Sequence, residues 1–209
     1  KLKDYDEIIH IGISSRISRS VENSTEALNQ MGEDRKRVHI FDSLHLSTGI
    51  GHLVLIASDL LKRGHDVSEI LSTLEQMRTK VSTTFMVQNA EYLYRNGRIS
   101  KNVKNLCDFF HIRPVLRLVD GYIKLDSVLI GGYEESALRY VRRELRKHKH
   151  IKKDRLFITH AGCTVNDIKI VRKEVEKLID IDNIIISDAS ATISGNSGPR
   201  TFGVLFVKE

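Results

Sequence analysis

The sequence predicts an α/β protein built from two domains. Within residues 1–80, short apolar stretches that suit strands alternate with amphipathic stretches that suit helices, the pattern of a layered domain with parallel strands. After residue 80, two strand-like stretches flank Asp120-Gly121, and an Asp-Gly pair is typical of a β-hairpin. We therefore expect a partial parallel α/β domain over residues 1–80 and a mixed-sheet α/β domain over residues 81–209.

The first predicted strand leads directly into a polar turn. Residues 8–12 read Ile-Ile-His-Ile-Gly, which suits a buried strand, and a helical pattern covers residues 21–31. Between them lie four serines: Ser14, Ser15, Ser18 and Ser20. Serine hydroxyls and the free amides of a first helical turn favour an anion. Because most such turns only cap a helix, this pattern alone indicates an anion site weakly.

The rest of the first domain is predicted to contain one strand and two helices. Residues 37–42 suit a strand, which should lie parallel to the first. Residues 48–62 form an amphipathic pattern that ends before Gly64, a residue typical of helix C-termini. Residues 66–79 repeat apolar side chains at helical spacing and predict a second helix.

The second domain is predicted to combine the hairpin with further strands and helices. The predicted strands cover residues 81–87, 112–119, 122–130, 155–160, 183–188 and 201–207. The predicted helices cover residues 89–96, 103–110, 134–147 and 165–178. Since Pro114 cannot donate a hydrogen bond, we expect its strand at a sheet edge, or the proline at the strand's start.

The composition excludes several classes of protein. The hydrophobic share of 41% and the charged share of 29% are ordinary for a globular domain. The sequence contains no apolar run long enough to span a bilayer. Cys107 and Cys163 lie far apart without metal-ligand spacing, which argues against a disulfide framework or a metal site. This cysteine usage fits a reducing compartment, and we expect a cytoplasmic protein.

The net charge of +6 is concentrated in one stretch. Nine arginines and lysines lie between residues 139 and 155. The simpler interpretation is the solvated face and last turn of a helix, where cations suit the dipole. The alternative is an anionic partner, such as nucleic acid or an acidic protein face. Only Tyr140 is available for stacking and no nucleic-acid motif is present, so we expect no nucleic-acid partner.

Five stretches, in order along the chain, resemble the DegV family of bacterial fatty-acid-binding proteins. They are YDEIIHIGISSRIS, VHIFDS with STGIGHLV, NAEYLYRNGRIS, IRPVLRLVDGYI and SGNSGPRTFGVLF. The resemblance implies a two-domain DegV-like (EDD) fold, with a parallel Rossmann-like N-terminal layer and a mixed α+β C-terminal domain. The family's usual N-terminal segment is not among these residues, so we expect a truncated first layer, in a fragment or a trimmed chain.

The resemblance implies that the protein binds one long-chain fatty acid, such as palmitate or stearate, between its two domains. It would present this acid to a fatty-acid kinase subunit, with no catalytic residue, metal or further cofactor of its own. By match to the family motifs, Ser14, Ser15 and Asn196 would bind the carboxylate, and Ser18 or Arg98 would contact the head group or a partner. The apolar candidates for the tail tunnel are Phe85, Val87, Leu93, Ile112, Val115, Leu116 and Phe202.

One departure from the family pattern changes the charge of the proposed site. Asn196 stands where the family has a histidine, and asparagine cannot become cationic. We therefore expect carboxylate binding that is weaker, or independent of pH. Two alternatives stay open: an interaction domain that has lost lipid binding, and, less favoured, a hydrolase using Ser14 or Ser15 without a Gly-x-Ser-x-Gly elbow. An uncovered edge of the first sheet would favour a homodimer.

Overall fold

The computed structural model of this chain describes residues 4–88, 90–97 and 99–209. The fold is α/β, with one parallel and one mixed sheet, as predicted. Two compact units are present: Lys1–Val81 with Leu118–Ile123, and Ser82–Arg117 with Lys124–Glu209. The sequence analysis assigned the whole hairpin to the second domain, whereas the structure groups the hairpin tip with the first unit. The cause is a contact of the hairpin tip with the serine turn, the stretch Ser14–Ser20 that follows the first strand: the Ser14 hydroxyl donates to the carbonyl of Gly121.

The first unit contains a two-stranded sheet and three helices. In chain order these are β1 (Ile8–Gly12), α1 (Ser20–Asn29), β2 (Val38–Asp42), α2 (Thr48–Lys62) and α3 (Val67–Arg78), with a 3-10 helix at Gly32–Arg37 before β2. β1 and β2 pair in parallel, with Ile8 opposite Val38 and Gly12 opposite Asp42. The predicted parallel pairing is therefore confirmed. It places the residues that follow β1 and β2 at the same edge of the sheet.

Local sequence fixes the ends of α2 and α3. α2 ends in a Schellman motif, in which the amides of Gly64 and His65 donate to carbonyls of the last helical turn, and Gly64 has a φ of +86°. α3 begins with a capping box between Asp66 and Glu69. The two helices pack through buried side chains, among which Leu74 is fully buried. The serine turn therefore rests on an ordered scaffold.

Seven strands form a mixed sheet that belongs mainly to the second unit. The strands are β3 (Val81–Ser82), β4 (Thr84–Met86), β5 (Ile112–Val119), β6 (Tyr122–Ile130), β7 (Ile151–Ala161), β8 (Ile184–Asp188) and β9 (Thr201–Lys208). The helices are α4 (Glu91–Arg95), α5 (Lys101–Phe109), α6 (Tyr133–Lys147), α7 (Val165–Leu178) and α8 (Ala191–Ser197). The strand order is β6-β5-β4-β9-β7-β8, with β3 also on β9. β7 and β8 are parallel, and the pairings of β9 with β4 and β7 are antiparallel.

The sequence predictions failed at two places in this unit. The single strand expected over residues 81–87 is two short strands, β3 and β4, and α8 was not predicted. For the strand containing Pro114, two arrangements were expected, and the structure shows the second: β5 lies between β6 and β4, so it is not an edge strand, and Pro114 is its third residue. The proline is accommodated near the start of β5, where β4 has ended at Met86. There the amide of Val87 donates to the Pro114 carbonyl at 3.0 Å.

The hydrophobic core of the second unit lies on the sheet face covered by α6 and α7. Alternate residues of the central strands point into it, among them Val115, Phe202 and Val204, which are almost completely buried. Tyr140 of α6 is fully buried, and its hydroxyl lies 2.9 Å from both the carbonyl and Oγ1 of Thr84. Burial raises the pKa of Tyr140, so this hydroxyl stays protonated.

Candidate functional site

Ser14 follows β1 and is fully buried in the first unit. Its hydroxyl donates to the carbonyl of Gly121 at 2.8 Å and accepts from the amide of Arg16 at 3.2 Å. Its own amide donates to the carbonyl of His45 at 2.9 Å. Because a hydroxyl has one hydrogen, the donor capacity of Ser14 is used within the protein. Ser14 therefore fixes the turn onto the hairpin tip.

The hairpin tip approaches Ser14 closely because residue 121 is glycine. Gly121 has a φ of +83°, and a Cβ atom there would lie 2.6 Å from the Ser14 hydroxyl oxygen. Asp120 also has a positive φ, of 51°, as a two-residue type I′ turn requires. The guanidinium of Arg16 lies 5.6 Å from the ring centre of Tyr122. The predicted Asp-Gly turn is therefore confirmed, and it has a role at the serine turn that the sequence did not indicate.

Ser15 is bonded to the carboxylate that ends β2. Its hydroxyl donates to Oδ2 of Asp42 at 2.5 Å, and its amide donates to Oδ1 at 3.2 Å. Asp42 also accepts from the amide of Leu44 at 3.0 Å. An anionic ligand at this turn would compete with Asp42 for the single hydroxyl hydrogen of Ser15. Ser15 is half-buried, so this hydroxyl can reorient toward a ligand.

Ser18 and Ser20 organise the start of α1. Their hydroxyl oxygens lie 2.8 Å apart, and the Ser18 hydroxyl accepts from the amide of Ser20 at 3.2 Å. Ser18 thus satisfies one of the free amides at the helix start, the usual role of such a residue.

Asn196 lies near the end of α8 and is exposed. Its side-chain amide donates to the carbonyl of Thr192 at 2.8 Å, within its own helix. The carbonyl of Asn196 lies 3.5 Å from the side-chain amide of Asn96, which follows α4. Gly198 packs against Tyr92 of α4. The structure thus brings together two of the family-like stretches in the second unit, while Arg98 lies outside the described residues.

The candidate tail residues divide between the two faces of the large sheet. Val115 and Phe202 belong to the packed core under α6 and α7. Ile112 and Leu116 alternate with Val115 along β5, so they point to the opposite face, and Phe85 lies opposite Leu116 in the β4–β5 pairing. Leu93 of α4 is half-buried and Val87 is fully buried.

Arg200 precedes β9 and is fixed by three contacts in the second unit. It forms a two-pronged ion pair with Asp167, at 2.8 and 3.1 Å. Its guanidinium stacks 3.9 Å from the ring centre of Tyr133, whose hydroxyl donates to the Arg200 carbonyl at 2.9 Å. Burial opposes ionisation of Asp167, but the bonds from Arg200 and Thr164 together outweigh it and hold the pKa of Asp167 below its usual value. The sequence analysis quoted Arg200 within a motif and gave it no role.

Comparison with protein-family models decides the family. The model described as "Uncharacterised protein, DegV family" matches residues 1–209. This chain belongs to the DegV family. The resemblance found in the sequence is therefore confirmed, and the DegV chain shows the mixed α/β architecture expected for it.

The curated relatives are also DegV proteins. A DegV domain-containing protein of Caldanaerobacter subterraneus subsp. tengcongensis is 27% identical over 209 residues, which are 98% of this chain and 72% of the relative. One from Staphylococcus aureus strain MRSA252 is 25% identical, over 99% of this chain and 72% of the relative.

Solved structures of DegV proteins are similar over the whole chain. A structure described as fatty acid binding of a DegV family protein from Thermus thermophilus has 26% identity and a TM-score of 0.81, covering 100% of this chain and 73% of that one. The Fatty Acid Kinase (Fak) B3 protein of Streptococcus pneumoniae, loaded with linoleic acid, has 20% identity and a TM-score of 0.84, covering 100% and 75%. At this identity, the second likeness shows the fold alone.

The basic stretch of the DegV chain is largely neutralised by carboxylates. Of its nine cations, five lie within 4 Å of an acidic side chain: Arg139, Arg142, Arg143, Lys147 and Arg155. The partner of Arg142 is Glu174 of α7, at 2.6 Å. This hydrogen bond lowers the pKa of Glu174. The pairing agrees with the interpretation of this stretch as a solvated helix face.

Several kinds of site are absent from the described part of the DegV chain. No group of three or more His, Cys, Asp or Glu side chains there could hold a metal ion. None of the helices within the described ranges is long and apolar enough to cross a membrane. In residues 4–88, 90–97 and 99–209, the hydroxyls of Ser14 and Ser15 donate to the Gly121 carbonyl and to Asp42, and neither hydroxyl bonds to a histidine ring, the arrangement that would activate a serine nucleophile.

Proposed function

We propose that this chain binds one long-chain fatty acid, such as palmitate or stearate. The observation that carries the proposal is its 26% identity, over the whole chain, to a Thermus thermophilus DegV protein described as fatty-acid-binding. The tail supplies most of the affinity. At roughly 0.8 kcal/mol per buried methylene, the about 14 methylenes of palmitate contribute on the order of 11 kcal/mol before association costs.

In this proposal Ser14 and Ser15 of the first unit, and Asn196 of the second, are each candidates for contacts with the carboxylate. A carboxylate leaving water needs hydrogen-bond donors, because an unpaired buried anion is costly. Ser15 would turn its hydroxyl from Asp42 to the ligand, Asn196 would release the Thr192 carbonyl, and Ser14 would keep the turn in place. Ser18, at the start of α1, remains a candidate for contacts with the head group or a partner.

The proposed tail contacts are best supported on one face of the large sheet. Phe85, Ile112 and Leu116 share that face and stand outside the core formed with α6 and α7. Leu93 is proposed to contribute from α4. Val115 and Phe202 are already packed in the core, so the proposal gives them a supporting role behind the tail.

We further propose that the bound acid is presented to a fatty-acid kinase subunit and that this chain supplies no catalysis. The membership of the DegV family supports this step. Incubating the loaded protein with ATP and a fatty-acid kinase subunit should yield acyl phosphate faster than the same concentration of free fatty acid. Equal rates would contradict the presentation role.

A second candidate is an interaction domain without lipid binding. It is favoured by the donor bonds that Ser14, Ser15 and Asn196 already make within the protein. Mass spectrometry of an organic extract separates the two candidates. A stoichiometric C16 or C18 acid supports lipid binding, whereas an empty protein that also refuses added palmitate supports the interaction domain. Labelling of Ser14 or Ser15 by a fluorophosphonate probe would instead support a hydrolase.

A matched pair of variants tests the polar end. Ser15→Ala removes a proposed ligand donor, and Ser24→Ala removes a serine of α1 whose hydroxyl donates to the Ser20 carbonyl, outside the proposed site. Loss of one hydrogen bond to a charged ligand corresponds to about tenfold weaker palmitate binding for Ser15→Ala. Ser24→Ala should bind palmitate as the wild type does. Equal affinities for both variants would remove Ser15 from the proposed site.

A further inference from the structure

Asp42 ends β2 and lies beside the serine turn, where neutral groups bind its carboxylate. The parallel pairing of β1 and β2 places Asp42 opposite Gly12, three residues before Ser15. Oδ1 accepts from the amides of Ser15 and Leu44, at 3.2 and 3.0 Å, and Oδ2 accepts from the Ser15 hydroxyl at 2.5 Å. Across residues 4–88, 90–97 and 99–209, no basic side chain lies within ion-pair distance of this carboxylate. Its charge is therefore stabilised by hydroxyl and amide dipoles and not by a cation.

The basic side chains near Asp42 are bonded to other groups. Arg78 of α3 donates to the backbone carbonyl of Asp42 at 2.9 Å, and it pairs with Glu75 at 2.6 Å. The ring of His45, in the turn after β2, lies 2.8 Å from the Arg78 carbonyl. The guanidinium of Arg16, in the serine turn, lies over an aromatic ring of the hairpin tip. An anion at the serine turn would therefore meet the charge of Asp42 without an ion pair to offset it.

The bond to Asp42 decides what the Ser15 hydroxyl can offer to a ligand. A hydroxyl has one hydrogen to donate and two lone pairs to accept with. While the hydrogen of Ser15 points to Asp42, the hydroxyl oxygen can only accept, which suits a head group that donates, such as an alcohol. A carboxylate has no hydrogen to donate, so it must take the Ser15 hydrogen away from Asp42. Two carboxylates that share one hydroxyl also repel each other, and this repulsion disfavours the charged head group.

The other serines of the turn are bonded to neutral groups. The Ser14 hydroxyl donates to a backbone carbonyl, and the hydroxyls of Ser18 and Ser20 lie 2.8 Å from each other. Among the four serines of the serine turn, as the structure describes them, Ser15 is the one whose hydroxyl is bonded to a carboxylate. The effect of a negative charge on a ligand at this turn is therefore expected to come through Ser15.

We propose that Asp42 is a specificity-determining residue, which holds the Ser15 hydroxyl and so disfavours an anionic head group relative to an uncharged one. This inference rests on the proposed function, because it concerns the head group of the bound fatty acid. Asp42 does not exclude a carboxylate, since Ser15 is half-buried and its hydroxyl can turn to a ligand. It lowers the affinity for the charged head and leaves the contribution of the tail unchanged. The acid is therefore held mainly by its tail.

Binding of palmitate and of hexadecanol, an uncharged analogue with the same tail length, tests this proposal. Asp42→Asn removes the charge and keeps an acceptor oxygen for the amides of the turn. It should tighten palmitate binding by about tenfold, the effect of one hydrogen bond to a charged group, and leave hexadecanol binding unchanged. The matched control is Asp34→Asn, which removes an exposed carboxylate of the same unit, outside the serine turn, and should change neither affinity.

An unchanged palmitate affinity in Asp42→Asn would overturn the inference and leave the proposed function standing. An equal loss of palmitate and hexadecanol binding would also overturn it, because it would show a structural role only. If the wild type binds neither compound, the proposed function fails, and this inference with it. A wild-type measurement covers the case in which Asp42→Asn does not fold. The carboxyl of bound 13C-labelled palmitate should titrate above the usual range of carboxylic acids, and a value at or below that range would exclude an adjacent anion.

Discussion

Replacing Arg117 with methionine should destabilise the second unit strongly. Glu144 of α6 is completely buried, and Arg117 donates to it at 2.5 Å. Without Arg117, the cation left beside Glu144 among the described residues would be Arg143, at 3.5 Å. Removing one partner of a buried ion pair costs about 3–5 kcal/mol. Because the contact with Arg143 would remain, we expect a cost at the lower end of this range, about 3 kcal/mol. Asp126 matters less, because it retains both Arg143 and Lys147.

Hydrogen exchange read by mass spectrometry on peptides of β5 and α6 would measure this cost locally. The matched control is Arg172→Met, which breaks an exposed pair with Glu176 and should cost less than about 1 kcal/mol. The double variant Arg117→Met/Glu144→Met removes both buried charges, so it should recover much of the stability lost in Arg117→Met. A cost for Arg117→Met no larger than that of Arg172→Met would refute the assignment of a buried ion pair.

Three further predictions concern stability. Hydrogen bonds, mainly from basic side chains, together outweigh burial and lower the pKa values of Asp126 and Asp167. The stability that these two ionised carboxylates contribute is therefore complete above about pH 4, and it is lost as the pH falls through the lowered pKa values. Asp167→Asn should consequently show a shallower decline of the melting temperature in acid. Gly198→Ala should cost about 1–3 kcal/mol in urea unfolding, since φ is +84° and a Cβ would lie 2.5 Å from Tyr92, while Gly195→Ala should be tolerated. Tyr140→Phe should cost about 1–3 kcal/mol in the same assay by leaving buried partners unsatisfied, and a neutral result would contradict the hydroxyl network.

The local chemistry of the sequence was sufficient to predict much of the fold. The helix over residues 48–62 was predicted from its apolar spacing and Gly64, and the hairpin from Asp120-Gly121; both are observed. Pro114 left two arrangements open in the sequence, and the structure selects the one with the proline near the start of β5, beyond the last β4–β5 pair at Met86 and Val115. The short helix α8 was missed, since its Ala-Thr-Ile-Ser-Gly-Asn-Ser sequence has no clear apolar period.

The polar residues of the candidate site were harder to predict because their partners are distant in the sequence. Ser14 reads as part of an anion-binding turn, yet its hydroxyl is used by Gly121, more than a hundred residues away. Ser15 likewise depends on Asp42 at the end of the next strand. A sequence pattern identifies which side chains can donate, but the tertiary structure decides whether another protein group already takes that donor.

The two arginines of β5 show how the counter-charge of a buried side chain depends on the tertiary structure. Arg113, Val115 and Arg117 alternate along β5, so both arginines point to the same face as Val115, the face covered by α6 and α7. Charged groups on such a face require counter-charges. Glu144 supplies one to Arg117 from α6, whereas the described chain supplies none to Arg113. Arg113 is instead held by the carbonyls of His111 and Gly131, so the two arginines of one strand face meet the same requirement to different degrees.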